Sequence, residues 1–243
     1  MYTYDSNGNI TQIVDASDSD AAKTTAYTYD NLNRLTASTA TGALNGNNHS
    51  ETYSYDALGN ITNKSDQGSY TYAGNTGSRY ENPDAVTSIG SNNYSYDRNG
   101  NLTSSPNLTN TWNYNNRLTQ SVYATSITVS YGYDYSGERV KQSNGTTTTY
   151  YPNKNYYTDG TTPTKQVYAN GILVATISGS GSSATPYILA TDHLTGSSVS
   201  ALATTNGGID QVLDYYPFGG IRLNEQNTSF NEQRKFDGEM YEQ

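Results

Sequence analysis

Aromatic residues recur along this chain in pairs at i, i+2 with one small residue between them, and the pairs run toward short polar stretches. The best copies read Y-x-Y-D-x-x-G-[NR]-[IL]-T. Tyr2, Tyr4 and Asp5 lead to Gly8, Asn9, Ile10 and Thr11; Tyr53, Tyr55 and Asp56 lead to Gly59, Asn60, Ile61 and Thr62. Tyr94, Tyr96 and Asp97 lead in the same way to Gly100, Asn101, Leu102 and Thr103. Weaker copies start at Tyr27 (Tyr29, Asp30, Arg34, Leu35, Thr36), at Trp112 (Tyr114, Arg117, Leu118, Thr119) and at Tyr131 (Tyr133, Asp134, Gly137, Arg139, Val140). Tyr70 and Tyr72 keep the aromatic pair alone.

Positions i and i+2 of a strand face the same side of a sheet, so each pair predicts one aromatic face. The aspartate can accept from backbone amides two residues on, and glycine tolerates positive φ, which together make a turn. The aliphatic residue and threonine that follow suit a returning strand. Each unit therefore predicts a β-hairpin. A lone hairpin is marginal in water, whereas stacked neighbours bury one another's aromatic faces. The second aromatic positions, taken as 4, 29, 55, 72, 96, 114 and 133, step by 25, 26, 17, 24, 18 and 19 residues. Such a spacing marks a repeat array with constant strands and variable loops, and 17–22, 41–50 and 74–84 read as loop inserts. Helical periodicity is absent over any useful length. The expected class is all-β, with stacked hairpins forming a continuous curved sheet.

Composition sharpens this. Hydrophobic residues make up 33% of the chain and tyrosine supplies 25 of 243 positions, too few aliphatics for an ordinary greasy sandwich. Disorder is not the reading, because charged residues are only 14% and the tyrosines are periodic. A buried tyrosine ladder needs partners for its hydroxyls, which the abundant Asn, Ser and Thr offer. The net charge of −9, with basic residues spread singly, argues against nucleic acid. No cysteine is present, so no disulfide or thiolate–metal scaffold is expected. No apolar run reaches membrane-span length, and Met1 is followed at once by a repeat rather than a signal peptide.

After Val140 the spacing changes. Asn144-Gly145 between 140–142 and 146–151, Asn170-Gly171 between 165–168 and 172–177, and Asn206-Gly207-Gly208 between 197–204 and 209–216 are hairpin signals. Ser178 to Ser183 reads as a flexible tip, Pro217-Phe218-Gly219 as the end of the last clear strand, and no element is placed beyond Gly220. The expected division is 1–140 as a repeat array and 141–243 as further hairpins.

The tyrosine–aspartate repeats resemble those of the Rhs/YD-repeat family, which includes Rhs polymorphic toxins of bacteria, the C components of toxin complexes, wall-associated proteins and teneurins. Three later segments strengthen the resemblance by matching, in order, the opening of the Rhs-associated core. Tyr187 to Ser197, containing Asp192, His193, Leu194, Gly196 and Ser197, resembles Y-x-x-x-D-H-L-G-S-x-R. Tyr216, Pro217, Phe218 and Gly219 resemble Y-x-P-F-G, and Lys235-Phe236-Asp237-Gly238-Glu239 resembles R-F-T-G-x-E. Thr195 is an insertion, and Ser198 and Val199 stand where arginine is expected. The family's later segments, with the arginine and aspartate of its self-cleavage site, have no counterpart in this sequence, so no cleavage residue carries over.

The resemblance implies one arc of a hollow β-shell, part of a secreted or cell-surface bacterial toxin-delivery protein whose complete form encapsulates a C-terminal effector. Its implied partners are the rest of its own polypeptide and that effector. An arc this short is expected to leave the shell open and to expose a sheet edge. The competing reading is an adhesion module that binds glycans through exposed tyrosines. No enzyme activity, cofactor or metal is expected. Asp192-His193 looks like an acid–base pair, but strand neighbours point to opposite faces and no nucleophile elbow lies nearby. Asp5 to Asn9 and Asp97 to Asn101 superficially resemble calcium loops, but glycine falls at the fourth place and no twelfth-position glutamate follows. Sequons such as Asn9-Ile10-Thr11 and Asn60-Ile61-Thr62 are explained by the repeat itself.

Overall fold

A computed structural model of the protein describes residues 1–16, 23–42, 48–74, 82–124, 126–191, 198–203 and 208–238. They form an all-β chain whose helical elements are two single 3-10 turns, Gly181–Ser183 and Phe236–Gly238. Strand order follows chain order and neighbours pair antiparallel, as stacked hairpins require. The chain divides into two compact units, Met1–Ser126 and Ile127–Gln243. The division falls upstream of the change in spacing after Val140, so the copy at Tyr131 belongs to the second unit.

The first unit holds a nine-stranded sheet running from Tyr2–Tyr4 to Asn92–Asn93. It also holds the consecutive strands Ser95–Tyr96, Leu102–Ser105, Leu108–Trp112 and Leu118–Tyr123. In the second unit the strands from Thr128–Tyr133 through Ile221–Gln226 again lie in chain order.

Each repeat hairpin has one turn geometry. Asp5 N–H donates to Asn9 O at 2.9 Å and Gly8 N–H to Asp5 O at 3.2 Å. Gly8 sits at φ 87°, a left-handed position that a Cβ would strain. This is a tight turn closed by a left-handed residue, the usual three-residue hairpin loop. Where glycine is missing, Asn33 (φ 60°) and Asn116 (φ 57°) take the same conformation, which asparagine tolerates better than other side chains.

Beyond the turn the hairpins that follow the motif carry the same irregularity. Tyr4 pairs with Ile10 but Thr3 with Gln12, which leaves Thr11 unmatched as a one-residue bulge. The same shift leaves Thr36, Thr62, Thr103 and Thr119 unmatched. The repeat's threonine is therefore more than a strand former. Its hydroxyl reaches across the bulge, with Thr11 Oγ1 donating to Thr3 O at 3.2 Å, Thr103 Oγ1 to Ser95 O at 3.0 Å and Thr119 Oγ1 to Thr111 O at 3.0 Å.

The C-terminal hairpins follow the local signals. Ser143 pairs with Thr148 around Asn144-Gly145, and Ala169 with Ile172 around Asn170 (φ 51°) and Gly171 (φ 83°). Strand Ser198–Ala203 pairs with Ile209–Tyr215. Asn206 and Gly207, proposed to turn it, lie outside the described residues, as do 17–22 and most of the other two loop inserts. Two expectations are corrected. Pro217-Phe218-Gly219 turns the chain rather than ending the sheet, and strand Ile221–Gln226 follows it. Tyr215 pairs with Ile221 after a shift, Tyr216 N–H donates to Gly220 O at 2.7 Å and Gly219 N–H to Tyr216 O at 2.9 Å. That is the repeat hairpin again, with Tyr216 in the place of aspartate.

The interior is unusually polar. Leu173, Leu189 and Phe230 form a small apolar cluster with Tyr168 and Tyr187 against it. Elsewhere Ser38, Glu51, Ser121, Gln166, Gln211, Glu232 and Lys235 are buried alongside aliphatic residues such as Ala40 and Leu213. Buried polar groups on this scale require hydrogen-bond partners.

Candidate functional site

The functional unit is the joint between successive repeats. In the first unit the inter-repeat ladder reaches Gln12–Ala26, Ala37–Thr52, Asn63–Ser69 and Ser104–Thr109. Two residues before each of those first partners, a carbonyl lies beyond the ladder's end. The second aromatic of the next repeat supplies its donor. Tyr29 Oη donates to Ile10 O at 2.8 Å, Tyr55 to Leu35 O at 2.7 Å and Tyr72 to Ile61 O at 2.8 Å. Trp112 Nε1 makes the same bond to Leu102 O at 2.9 Å, and Tyr96 Oη reaches Val86 O at 3.0 Å. An unmade hydrogen bond at a buried carbonyl costs roughly 1–3 kcal/mol, so these donors matter beyond their ring area.

This geometry corrects one sequence assignment. The sequence pairs Trp112 with Tyr114, but Trp112 pairs with Leu118 and holds the second-aromatic position itself. Asn113 takes the turn-aspartate role, its Oδ1 accepting from Asn115 N at 2.9 Å and Arg117 N at 3.0 Å. Tyr114 stands in the turn, 105% exposed. The indole carries the N–H the joint needs, which phenylalanine would lack.

The turns are joined as well. Asp5 Oδ1 accepts from Asn7 N and Asn9 N, both at 2.9 Å. Asn9 Nδ2 donates to Asp5 Oδ2 at 2.9 Å and to Asn33 Oδ1 of the next turn at 2.8 Å. Asn101 repeats this between Asp97 and Asn116. Where the motif has arginine, Arg34 pairs with Asp30 at 2.7 Å, donates to Asp56 O at 2.9 Å and lies 4.7 Å over the Tyr55 ring. The asparagine-or-arginine position is thus a clamp between consecutive turns. These bonds hold the turn carboxyls below the usual range. The Asn9 side-chain amide is the largest cause at Asp5, the Arg34 backbone amide at Asp30 and the Ser136 hydroxyl at Asp134. At Asp56 and Asp97 partial burial opposes the shift most strongly, yet bonds from Asn60 and Asn101 carry the net effect downward.

The first aromatics are less uniform. Tyr53 and Tyr131 are buried, whereas Tyr2 is 41% exposed and the second aromatic Tyr4 57%. Tyr53 Oη donates to the Glu51 carboxylate, which also pairs with Lys64 at 3.4 Å; Lys64 in turn reaches Asp66 at 3.2 Å. Burial and the neighbouring Glu51 push the Tyr53 phenol far above its ordinary value.

In the second unit the segment after Gln226 folds back as a strap over the sheet, a feature the sequence reading left without structure. Phe230 stacks on Tyr187 with ring centroids 3.7 Å apart. Glu232 accepts from Thr176 Oγ1 at 2.7 Å and from Arg234 N at 2.8 Å, while Arg234 Nε donates to Gln166 Oε1 at 2.9 Å. Phe236 packs edge-on to Tyr215 at 5.5 Å and lies so close to Gly219 that a Cβ there would meet its ring at 2.7 Å. The segments containing Tyr216 to Gly219 and Lys235 to Gly238 therefore meet in space. Between strap and sheet lies a cleft of about 430 Å³, walled by Tyr151, Tyr157, Tyr187, Asn231 and Gln233. Asp192, His193, Leu194, Gly196 and Ser197 lie outside the described residues. Among the described residues no group of three or more His, Cys, Asp or Glu side chains is placed to hold a metal ion. No helix among them is long and apolar enough to cross a membrane.

These features define a β-hairpin repeat protein in whose first unit successive hairpins are hydrogen-bonded through turn residues and the second aromatic. The family model for the teneurin YD-shell matches residues 1–243, and the chain belongs to that family. Among solved structures it is similar to one titled "Crystal Structure of TcdB2-TccC3-Cdc42", at 16% identity and a TM-score of 0.44, covering 98% of this chain and 17% of that one. A second similarity is to "Crystal Structure of TcdB2-TccC3", at 15% identity and a TM-score of 0.40, with the same coverage. The chain thus spans about a sixth of those chains. Comparison with curated proteins returned no match.

Proposed function

We propose that this chain is a non-catalytic wall segment of a hollow β-shell, and that the complete polypeptide encloses a C-terminal effector and is secreted or displayed at the cell surface. The observation that carries the reading is the joint: Tyr29, Tyr55, Tyr72 and Trp112 each bond the carbonyl that opens a strand of the preceding hairpin, and Tyr96 bonds Val86 O two residues before a strand. A joint that recurs from repeat to repeat in the first unit lets hairpins be added one after another, as a wall requires and a compact catalytic domain does not. The buried carboxylates also serve structure, since Glu51 and Glu232 are engaged by Tyr53, Lys64, Thr176 and Arg234.

The test is limited proteolysis of the full polypeptide containing this segment. Protection of its C-terminal region, lost when joint tyrosines are replaced, supports enclosure; equal cleavage in intact and joint-disrupted protein overturns it. Specific peptide hydrolysis or self-cleavage by the 243-residue chain would overturn the non-catalytic part.

A second reading, glycan adhesion, is favoured by Tyr114 and Tyr135, which stand 105% and 99% exposed immediately after the turn residues Asn113 and Asp134. Open aromatic faces of this kind can stack on sugar rings. Loss of glycan-array binding on replacing both, with the fold intact, would select it.

A further inference from the structure

The strap brings a lysine and an asparagine onto Gln211 of strand Ile209–Tyr215 in an arrangement that wall-building does not require. Lys235 is 2% exposed, beside Glu232 at 1% and Gln211 at 0%. Lys235 Nζ donates to Asn231 Oδ1 at 2.7 Å. The same oxygen accepts from Gln211 Nε2 at 3.2 Å. Gln211 is itself fixed, donating to Asn224 Oδ1 at 2.8 Å and accepting from Glu232 N at 2.8 Å.

We propose that Lys235 and Asn231 form an intramolecular isopeptide bond: a self-catalysed modification site in which the lysine amine displaces ammonia from the asparagine side chain. Three features support the chemistry. A carbonyl bond is about 1.23 Å long, so an amine hydrogen-bonded to Oδ1 starts within about 4 Å of Cγ, near the reacting separation of about 3–3.5 Å. The Gln211 N–H is aimed at the oxygen on which negative charge builds during attack, as an oxyanion-stabilising donor must be. The site is buried, and burial, the largest influence at both groups, lowers the lysine from its ordinary value and raises Glu232 from its own. The share of neutral amine, which is the nucleophile, is thereby increased.

The step balances without a further reactant. The Nζ lone pair forms a bond to Cγ, and the carbonyl π pair moves onto Oδ1 beside Gln211. When the carbonyl re-forms, the Cγ–Nδ2 bond breaks, one proton passes from Nζ to Nδ2, and ammonia leaves. One amide replaces another, nothing is oxidised or reduced, and loss of ammonia to solvent draws the reaction forward. The product ties the strap into a closed ring from Asn231 to Lys235 on top of Gln211.

Peptide mass spectrometry of the purified chain, after incubation at mildly alkaline pH, tests this directly. The expected mass of the joined strap peptides is their sequence mass less one ammonia. A tryptic digest should show the peptides on either side of Arg234 still joined, with cleavage after Lys235 blocked. Lys235→Arg keeps the charge without a primary amine and should restore the full mass of the strap peptide. Strap peptides at full sequence mass overturn the proposal, as does an ammonia loss on the Asn231 peptide that persists in Lys235→Arg, which marks a backbone imide there. A mass gain from conversion of Asn231 to aspartate also overturns it, because water rather than the amine has then attacked. If Lys235→Arg fails to fold, fragmentation of the parent peptide still locates the bond or shows it missing.

Discussion

Tyr55 Oη donates to Leu35 O at 2.7 Å, joining one hairpin to the strand just past the previous turn. The ring is half-buried and lies beneath the Arg34 guanidinium, 4.7 Å from its centroid. Tyr55→Phe keeps the ring and removes the donor, so it should cost about 1–2 kcal/mol as Leu35 O loses its partner. Tyr55→Ala also removes the packing and should cost roughly 2–4 kcal/mol. Denaturant melts of the two variants measure both. A Tyr55→Ala midpoint equal to the parent's would remove the joint from the stability of the wall.

Trp112 and Tyr114 should separate cleanly. Tyr114→Ala changes a 105%-exposed side chain and should leave the melt within about 0.5 kcal/mol of the parent. Trp112→Phe removes the indole N–H that reaches Leu102 O and should destabilise by about 1–2 kcal/mol. Trp112 is the chain's one tryptophan, so its fluorescence reports unfolding in the Tyr114 variant without a label.

The hairpins were legible because their instructions are local. Asp-x-x-Gly contains both the acceptor for the turn amides and the residue for the left-handed position, and the i, i+2 aromatics need only strand geometry. The degenerate copies were harder for a physical reason. At Asn113 an amide oxygen accepts the same amides as a carboxylate, and at Tyr216 the turn closes through backbone bonds alone, so neither place shows an aspartate. The aromatic at 114 then drew the pair two residues too far along. The threonine's bulge and the asparagine–arginine clamp reach partners 8 to 24 residues away, a relation that spacing does not display. The strap was illegible because Glu232 and Lys235 look like surface residues until Thr176 and Gln211, distant in sequence, are placed beside them.

The left-handed turn position yields a graded prediction. Gly59 has φ 98° and open space where a Cβ would stand, so only backbone strain opposes substitution. Gly59→Ala should cost about 1–2 kcal/mol. Gly59→Asn should cost less, because Asn33 and Asn116 already occupy the equivalent place in two other turns. Equal melts for the two variants would show that turn conformation does not limit stability.

Acid should loosen the array from its turns. The carboxyls of Asp5, Asp30 and Asp134 titrate below the ordinary carboxylate value in the folded protein. A depressed folded value means the contribution is complete above the unfolded value, near pH 4, and is lost as pH falls through the folded value. The contribution of these turn carboxyls should therefore be level from neutral pH down to about 4 and decline below it. Asp30→Asn should flatten part of that decline, and a titration of melting midpoint against pH reads the effect.

Phe230 anchors the strap. It is 8% exposed and stacks on Tyr187 at 3.7 Å, in the same cluster as Leu173 and Leu189. Aromatic truncation at such a site costs about 3–5 kcal/mol. The polar half of the strap depends on it, because Glu232 is tolerable in the interior only while Thr176 Oγ1 and the Arg234 amide reach it. If Phe230→Ala lets the strap lift, Glu232 regains water and ionises at its ordinary value, while Arg234 becomes open to trypsin. The variant should thus show faster cleavage after Arg234 and a lower melting midpoint, with the first unit's hairpins still giving a β-sheet circular dichroism spectrum. Cleavage at the parent's rate would mean that the polar contacts alone hold the strap down.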